Sequence, residues 1–169
     1  MGRFENQKQP WLFPEVIKLV NDLGVKCVGE MYGDGSLKEA IKNTIESDYT
    51  DYTIKLFSTH NSIKAVYQTA DCLVLVSKHE GTPNVVLEAM ASGLPVATLP
   101  LEGIEELIIP DISGITEENL SKLALKTAQL LTNSHHKNVV VENARQKIES
   151  DFALATQIAN FESILQQLK

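Results

Sequence analysis

Hydrophobic residues in this chain alternate between two spacings, and this alternation limits what the chain can fold into. Extended apolar runs, typical of strands, are separated by segments whose apolar residues recur with the 3.6-residue period of a helix. The pattern predicts helices over 11–23, 37–46, 62–70 and 83–92, and strands over 25–31, 53–57, 71–77 and 95–99. Strands that alternate with helices pair in parallel. We therefore predict an α/β fold, a single Rossmann-like doubly wound parallel sheet flanked by helices.

One strand is apolar on both faces. The run from Asp71 to Ser77 is almost entirely apolar, as in a parallel strand covered by helices on both sides, and this places it at the centre of the sheet. A loop or short helix is expected over 102–113 and an edge strand at Gly114-Ile115. The segment 117–169 is helical in pattern, with breaks near 133–134 and 150–151, and we assign it to the same single domain, 1–169.

Composition excludes several classes of function. The 15 Lys and Arg residues against 22 Asp and Glu give a net charge of −7, so nucleic acid is not an expected partner. Apolar runs are shorter than the ~18 residues of a membrane span, and the start has no secretory signal pattern. The cysteines, Cys27 and Cys72, lie in strand-like runs and are expected to be reduced thiols. The expected location is the cytoplasm.

Three turns are predicted to share one edge of the sheet. In an open parallel sheet, ligands bind at the carboxyl ends of the strands. The segments 33–35, 58–61 and 78–83 each follow a predicted strand. In the last of these, Thr82 is a suitable cap and Pro83 suits the first helical position. The free amides of Asn84 and Val85 then form a site for a phosphate.

Two glutamates flank the start of this helix. Glu80 precedes the helix and Glu88 lies inside it, with seven residues between them. We expect Glu80 to point from the loop towards a ligand. Because the helix is apolar on most sides, the Glu88 carboxylate needs a polar partner. Taken singly, both residues are equally compatible with solvent-facing charges.

The stretch Ser77 to Val96, with the sequence SKHEGTPNVVLEAMASGLPV, resembles the signature of retaining glycosyltransferases of family 4, the group 1 enzymes with the GT-B fold. Gly2-Arg3 followed by Lys8 resembles the family's Gly-Arg and Lys, and Gly33-Asp34-Gly35 resembles its glycine-rich turn. Further resemblance lies in the pattern of Gly103, Glu106, Asp111 and Gly114. The resemblance covers essentially the whole chain, as the nucleotide-sugar-binding C-terminal domain.

The resemblance implies a role for each charged residue. Glu80 would contact hydroxyls of the donor sugar, and Glu88 would bind the ribose. Arg3 and Lys8 would hold the diphosphate leaving group, where cations offset the charge that develops as the glycosidic bond breaks. Arg3, Lys8 and Glu80 are thus the candidate catalytic residues, and Arg3 and Lys8 replace a metal ion.

The remaining candidates would bind the donor, with the nucleobase near 58–60. The full donor-binding set is Gly2, Gly33, Gly35, Thr59, His60, His79, Gly81, Thr82, Pro83, Asn84, Val85 and Glu88. No cofactor is implied, because the UDP- or GDP-sugar is the substrate. The resemblance predicts metal-independent transfer with retention, in polysaccharide or lipid-linked glycan synthesis.

The chain departs from the family in two places and contains one of its two domains. Ser58 stands where relatives have a glycine, and Glu102-Gly103 replaces a Gly-Gly pair. The first strand of the domain is expected to be largely missing, as is the N-terminal acceptor-binding domain. We therefore expect weak nucleotide binding and negligible transfer by this chain alone. Peripheral membrane association is expected only of a full-length enzyme.

Two other functions are compatible with this pattern. One is a non-catalytic nucleotide-binding module that acts with a partner protein, which apolar residues exposed on the last helix would favour. The other is a dinucleotide-dependent oxidoreductase. Gly33-Asp34-Gly35 lacks the third glycine of the dinucleotide fingerprint, so this alternative ranks last.

Overall fold

Parallel strands alternate with helices over residues 12–132 of the computed structural model, which describes residues 1–58, 63–81 and 83–167. The strands in these ranges are β1 (Gly29–Tyr32), β2 (Ile54–Phe57), β3 (Leu73–Leu75), β4 (Val96–Thr98) and β5 (Ile115–Thr116). The helices are α1 (Leu12–Asp22), α2 (Lys38–Asp48), α3 (Ile63–Thr69), α4 (Asn84–Ala91), α5 (Ile104–Leu107), α6 (Leu120–Thr132), α7 (Ser134–Lys147) and α8 (Leu154–Gln167). The predicted α/β class and the order of its elements are confirmed.

The strands form two sheets rather than the single sheet predicted from the sequence. In the described part of the chain, β1 pairs only with β2, and β3, β4 and β5 form a separate three-stranded sheet in that order. All of these pairings are parallel. The prediction that the strand at 71–77 lies at the sheet centre is therefore wrong, because β3 is an edge strand of its sheet. Helices cover both of its faces, which is why its sequence resembles that of a central strand.

Two apolar clusters lie on opposite faces of the three-stranded sheet. On one face, Leu73 and Leu75 of β3 pack with Val86 and Met90 of α4. On the other, the cluster joins α1, α6 and α7 to Val76, which follows β3. This burial of both faces explains the apolar strand sequences. A third cluster, built on Phe4 and Ile41, packs α2 against the β1–β2 sheet.

The strand predicted from Val25 begins only at Gly29, and a side chain explains the delay. The Asn21 carboxamide accepts a hydrogen bond from the Cys27 N–H at 3.3 Å and donates to the Cys27 carbonyl, also at 3.3 Å. The backbone at Cys27 is therefore held by α1 rather than by a neighbouring strand. Both Cys27 and Cys72 are free thiols, as expected.

The C-terminal third is helical, as predicted, with a break at Asn133. The Asn133 side chain caps α7 by accepting from the His136 N–H at 3.0 Å. A π-helical turn at Ile148–Phe152 separates α7 from α8, close to the second predicted break. No helix within the described ranges is both long enough and apolar enough to cross a membrane.

Candidate functional site

The N-terminal segment, residues 1–8, contacts two of the three predicted turns. The Gly2 N–H donates to the Tyr32 carbonyl at 2.9 Å, which fastens the segment to the end of β1. Further along, the Gln7 carbonyl accepts from the Lys78 N–H at 2.9 Å, and the Gln7 side chain donates to the His79 carbonyl at 2.9 Å. The glycine turn after β1 and the loop after β3 therefore meet at the carboxyl edge, as the sequence predicted.

The glycines of the first turn permit a close backbone approach. A Cβ atom at Gly33 would lie 1.8 Å from the Gly2 carbonyl oxygen, and one at Gly35 would lie 2.5 Å from the Phe4 carbonyl oxygen. No side chain fits at either position. These glycines, predicted to bind the donor, hold the N-terminal segment against the turn.

The Ser36 side chain lies just before α2 but does not cap that helix. The residue before α2 is Leu37, and no side chain caps the helix. Instead, the Ser36 N–H and hydroxyl donate to the two Glu5 carboxylate oxygens at 2.9 and 2.8 Å. Hydrogen bonds from Ser36 lower the pKa of the Glu5 carboxyl. A second link thus connects the N-terminal segment to the turn.

An ion pair lies at the centre of the site. The Lys8 Nζ lies 2.5 Å from Glu80 Oε1, although the residues are 72 positions apart in the chain. The side chains are 21% and 8% exposed, so Glu80 is almost enclosed while Lys8 keeps access to solvent. An ammonium group has three donors, so one bond to Glu80 leaves two for a bound anion. The pair presents a cation and a carboxylate side by side.

Glu88 is held by a tyrosine that the sequence analysis did not identify. The Tyr67 hydroxyl on α3 donates to Glu88 Oε2 at 2.9 Å, while the Glu88 side chain remains exposed. Burial, then the bond to Glu88 and its charge, raises the pKa of the Tyr67 phenol. The polar partner expected for Glu88 is therefore present. The residues are 21 positions apart, and no sequence spacing indicates the contact.

The start of α4 differs slightly from the prediction. Helix α4 begins at Asn84, and Pro83 is the residue before it rather than its first residue. The Pro83 carbonyl accepts from the Val86 N–H at 2.8 Å, so the amides of Asn84 and Val85 lie ahead of the helix bonds. They carry the partial positive charge of a helix start. The proposed cap, Thr82, lies outside the described residues.

Lys38 is a second residue that the sequence analysis missed. Its Nζ donates to Ser58 Oγ at 2.6 Å and to Asp34 Oδ2 at 3.1 Å. It thus links the glycine turn to the end of β2, where the nucleobase was predicted to lie. No helical spacing indicates these contacts, because Asp34 lies in the glycine turn and α2 begins only at Lys38.

Three other predicted site residues are exposed, and two lie outside the described residues. Arg3 and His79 are exposed at the same edge, and Gly81 is exposed with open space around its Cα. The predicted nucleobase contacts Thr59 and His60 lie outside the described residues. Glu102, one of the departures from the family, is exposed. Within the described ranges, no three His, Cys, Asp or Glu side chains come close enough together to hold a metal ion.

Comparison with curated proteins finds bacterial glycosyltransferases. The chain is 28% identical over 162 residues to the UDP-Gal:alpha-D-GlcNAc-diphosphoundecaprenol alpha-1,3-galactosyltransferase of Escherichia coli. The alignment covers 94% of this chain and 42% of that protein. The chain is 32% identical over 178 residues to the amylovoran biosynthesis glycosyltransferase AmsK of Erwinia amylovora, covering 99% of this chain and 44% of that protein. The chain therefore spans less than half the length of these relatives.

Solved structures share the fold. S. aureus TarM, in a complex that contains UDP, superposes with a TM-score of 0.87 at 24% identity over 96% of this chain and 34% of that one. The C-terminal domain of LpcC, a group 1 family protein from Francisella tularensis, has a TM-score of 0.78 at 19% identity and covers 91% of this chain and 84% of that one. The second of these is a C-terminal domain solved on its own.

A family profile described as "Glycosyl transferases group 1" matches residues 1–133, which include the charged groups gathered at the carboxyl edge. The profile match shows that this chain belongs to the group 1 glycosyl transferases, and its fold is that of one Rossmann-like half of the GT-B fold.

Proposed function

We propose that this chain is the donor-binding half of a glycosyltransferase and that it binds a nucleoside-diphosphate sugar at the carboxyl edge of its sheets. The observation that carries the proposal is the Lys8–Glu80 pair beside the start of α4. It places a cation for a diphosphate next to a carboxylate that accepts sugar hydroxyls, at the edge where α/β folds bind ligands. Several relatives' structures were solved with UDP, which supports this choice of ligand.

The positive groups at the site bind the diphosphate. The free donors of Lys8 and the exposed Arg3 guanidinium bind the diphosphate, helped by the amides of Asn84 and Val85. As the bond between sugar and phosphate breaks, negative charge grows on the diphosphate. Fixed cations stabilise that charge in place of a metal ion.

The two carboxylates recognise hydroxyl groups. Glu80 is oriented by Lys8 and offers its other oxygen to the sugar, while Glu88 is oriented by Tyr67 and binds the ribose. Each carboxylate accepts hydrogen bonds from hydroxyl pairs, which fixes the donor in one orientation. Transfer with retention, for polysaccharide or lipid-linked glycan synthesis, then requires the acceptor-binding half of the enzyme.

The last helix supplies a surface for that second half. Along α8, Leu154, Ile158, Phe161 and Leu165 lie on one face, and their exposed fractions range from 47% to 77%. A helix of this length is marginal in water by itself. We propose that this face packs against the acceptor-binding domain, because the chain covers 42% of a relative of the same family.

Calorimetric titration of the chain with UDP, GDP, ADP and NAD tests the proposal. We expect UDP or GDP to bind, and Arg3→Met or the double change Lys8→Met with Glu80→Gln to weaken binding at least about tenfold, since hydrogen bonds to charged groups contribute about 1.5–3 kcal/mol. The double change leaves no unpaired carboxylate behind.

The matched control is Glu46→Gln, an exposed helical glutamate at the end of α2 away from this edge. It should leave the affinity unchanged. Binding of NAD alone would favour the oxidoreductase. Binding of UDP that none of the site variants weakens would contradict the proposed site.

A further inference from the structure

The contacts at the carboxyl edge place its elements in a fixed order. Strand β1 pairs with β2 on one side. On the side away from β2, the Asp34 carbonyl after β1 accepts from the Phe4 N–H of the N-terminal segment at 2.8 Å. The same segment reaches the loop after β3 through the pair formed by Lys8 and Glu80. The order along the edge is therefore the end of β2, the glycine turn, the N-terminal segment and the loop after β3.

A nucleoside-diphosphate sugar bound along this edge has its base at the end of β2. In the proposed function the diphosphate lies at Arg3 and Lys8 and the sugar at Glu80, so the base extends in the opposite direction, past the glycine turn. Neighbouring strands lie about 4.8 Å apart, which puts the end of β2 about 10 Å from the N-terminal segment, a separation that a ribose and its base can span. Helix α3, which follows β2, supplies the Tyr67 hydroxyl to Glu88, the proposed ribose contact.

Lys38 places a cation at this end of the edge. Its Nζ donates to Ser58 Oγ at 2.6 Å and to Asp34 Oδ2 at 3.1 Å. An ammonium group has three donors and no acceptor, so one donor remains within the described residues. The Lys38 side chain is 26% exposed, which leaves this donor accessible to a ligand.

Two acceptors on different elements hold the Lys38 ammonium group in position. The hydrogen bond from Lys38 lowers the pKa of the Asp34 carboxyl, which therefore stays ionised at neutral pH. Asp34 Oδ1 accepts from the Gly35 N–H at 3.0 Å, so the carboxylate is itself fixed to the glycine turn. A group positioned in advance loses little freedom when a ligand binds. The other acceptor, Ser58, is one of the departures from the family, so this arrangement is a feature of this chain.

We propose that Lys38 selects the nucleobase of the donor by donating to a carbonyl oxygen on the edge of the base that lies away from the ribose. Uracil O4 and guanine O6 are such oxygens. Cytosine and adenine carry an amino group at the same place, which would meet the ammonium donor with a second donor and leave both without an acceptor. The inference rests on the proposed function and deepens it, since it names the residue that favours UDP- or GDP-linked sugars over CDP- or ADP-linked ones.

Calorimetric titration with UDP and CDP tests the inference, because these ligands differ only on that edge of the base. We expect the native chain to bind UDP at least about fivefold more tightly than CDP, since one hydrogen bond from a charged donor is gained or lost. Lys38→Met should reduce this preference to about twofold or less. Ser58→Ala removes one of the two acceptors that hold the ammonium group and should reduce the preference by a smaller factor. GDP and ADP give the same comparison for purines.

The matched control is Lys42→Met, which removes the same charge from an exposed position one turn further along α2. It should leave the preference for UDP unchanged. The pair of Lys38 and Asp34 is partly exposed and such pairs add little to stability, so every variant should keep its thermal midpoint within about 2 °C of the native value.

The ratio of the two affinities separates base selection from a structural role, because a structural role would weaken UDP and CDP equally. An equal loss for both nucleotides in Lys38→Met would therefore overturn the inference, as would binding of CDP by the native chain as tightly as UDP. Either result leaves the proposed function standing, since the native chain still binds a nucleoside diphosphate. If the native chain binds none of UDP, GDP, CDP and ADP, the proposed function itself fails and the inference fails with it.

Discussion

Replacing Tyr67 by phenylalanine removes one hydroxyl and leaves the ring in place. The ring is 4% exposed and packed in the core, so the variant is expected to fold. The hydroxyl donates to the exposed Glu88 at 2.9 Å. If Glu88 binds the ribose as proposed, this loss frees the carboxylate to rotate, and the variant tests whether Tyr67 orients it.

The size of the effect follows from the exposure of the acceptor. A hydrogen bond to a charged group contributes about 1.5–3 kcal/mol, but water replaces the donor at an exposed carboxylate, which leaves about 1 kcal/mol. Since 1.4 kcal/mol corresponds to tenfold, we expect UDP to bind about fivefold more weakly. The loss should be confined to the ribose hydroxyls.

Calorimetry with UDP and 2′-deoxy-UDP is the assay. In the native chain UDP should bind more tightly, and Tyr67→Phe should reduce that preference by about the same factor of five as it weakens UDP. The control is Tyr49→Phe, which removes a similar bond, 3.1 Å long, from Tyr49 to Glu15. An unchanged preference in Tyr67→Phe, with UDP still bound, would refute the reasoning. Failure of the native chain to bind UDP would instead refute the proposed function.

Three further predictions concern the glycine turn, the Glu5 carboxylate and helix α8. Gly33→Ala should destabilise the chain by about 3–4 kcal/mol in thermal unfolding, because the N-terminal segment must detach and lose two backbone hydrogen bonds and the burial of a phenylalanine. The control is Gly24→Ala, where φ is +87° and the space is open, and it should destabilise the chain by about 1–2 kcal/mol. The pKa of the Glu5 carboxyl lies below its ordinary value of 4.5. The ionised carboxylate should keep its hydrogen bonds to Ser36, and these bonds should break as the pH falls through the lowered pKa. A shift of the Ser36 amide resonance measures this change. Ending the chain at Phe152 should change the thermal midpoint by less than about 2 °C, because α8 buries none of its described side chains, and a larger drop would show that α8 packs on this domain.

Much of the fold could be predicted from local patterns. The alternation of periods predicted the order of strands and helices, and the asparagine at 133 marked a helix boundary through its capping side chain. Boundaries were less accurate where a side chain competed for the backbone. Hydrogen bonds between Asn21 and the backbone of Cys27 precede the late start of β1, and the Ser36 hydroxyl before α2 donates to Glu5.

The candidate site was predictable where its residues follow strands. Parallel strands end at one edge, so Glu80 and the glycine turn were expected to lie there, and the N-terminal segment joins them. Tyr67 and Lys38 were not predicted. Each contributes by contacting a residue on another element, and nothing in the spacing of a helix indicates which neighbour its side chain will reach.

The sequence by itself determined the α/β class, the element order and the edge at which the charged residues gather, because these depend on periodicity and on the direction of parallel strands. Only the tertiary structure decided that Lys8 pairs with Glu80, that Tyr67 donates to Glu88 and that the strands form two sheets. Such contacts depend on how separate helices and strands pack, and local sequence carries little information about packing between elements distant in the chain.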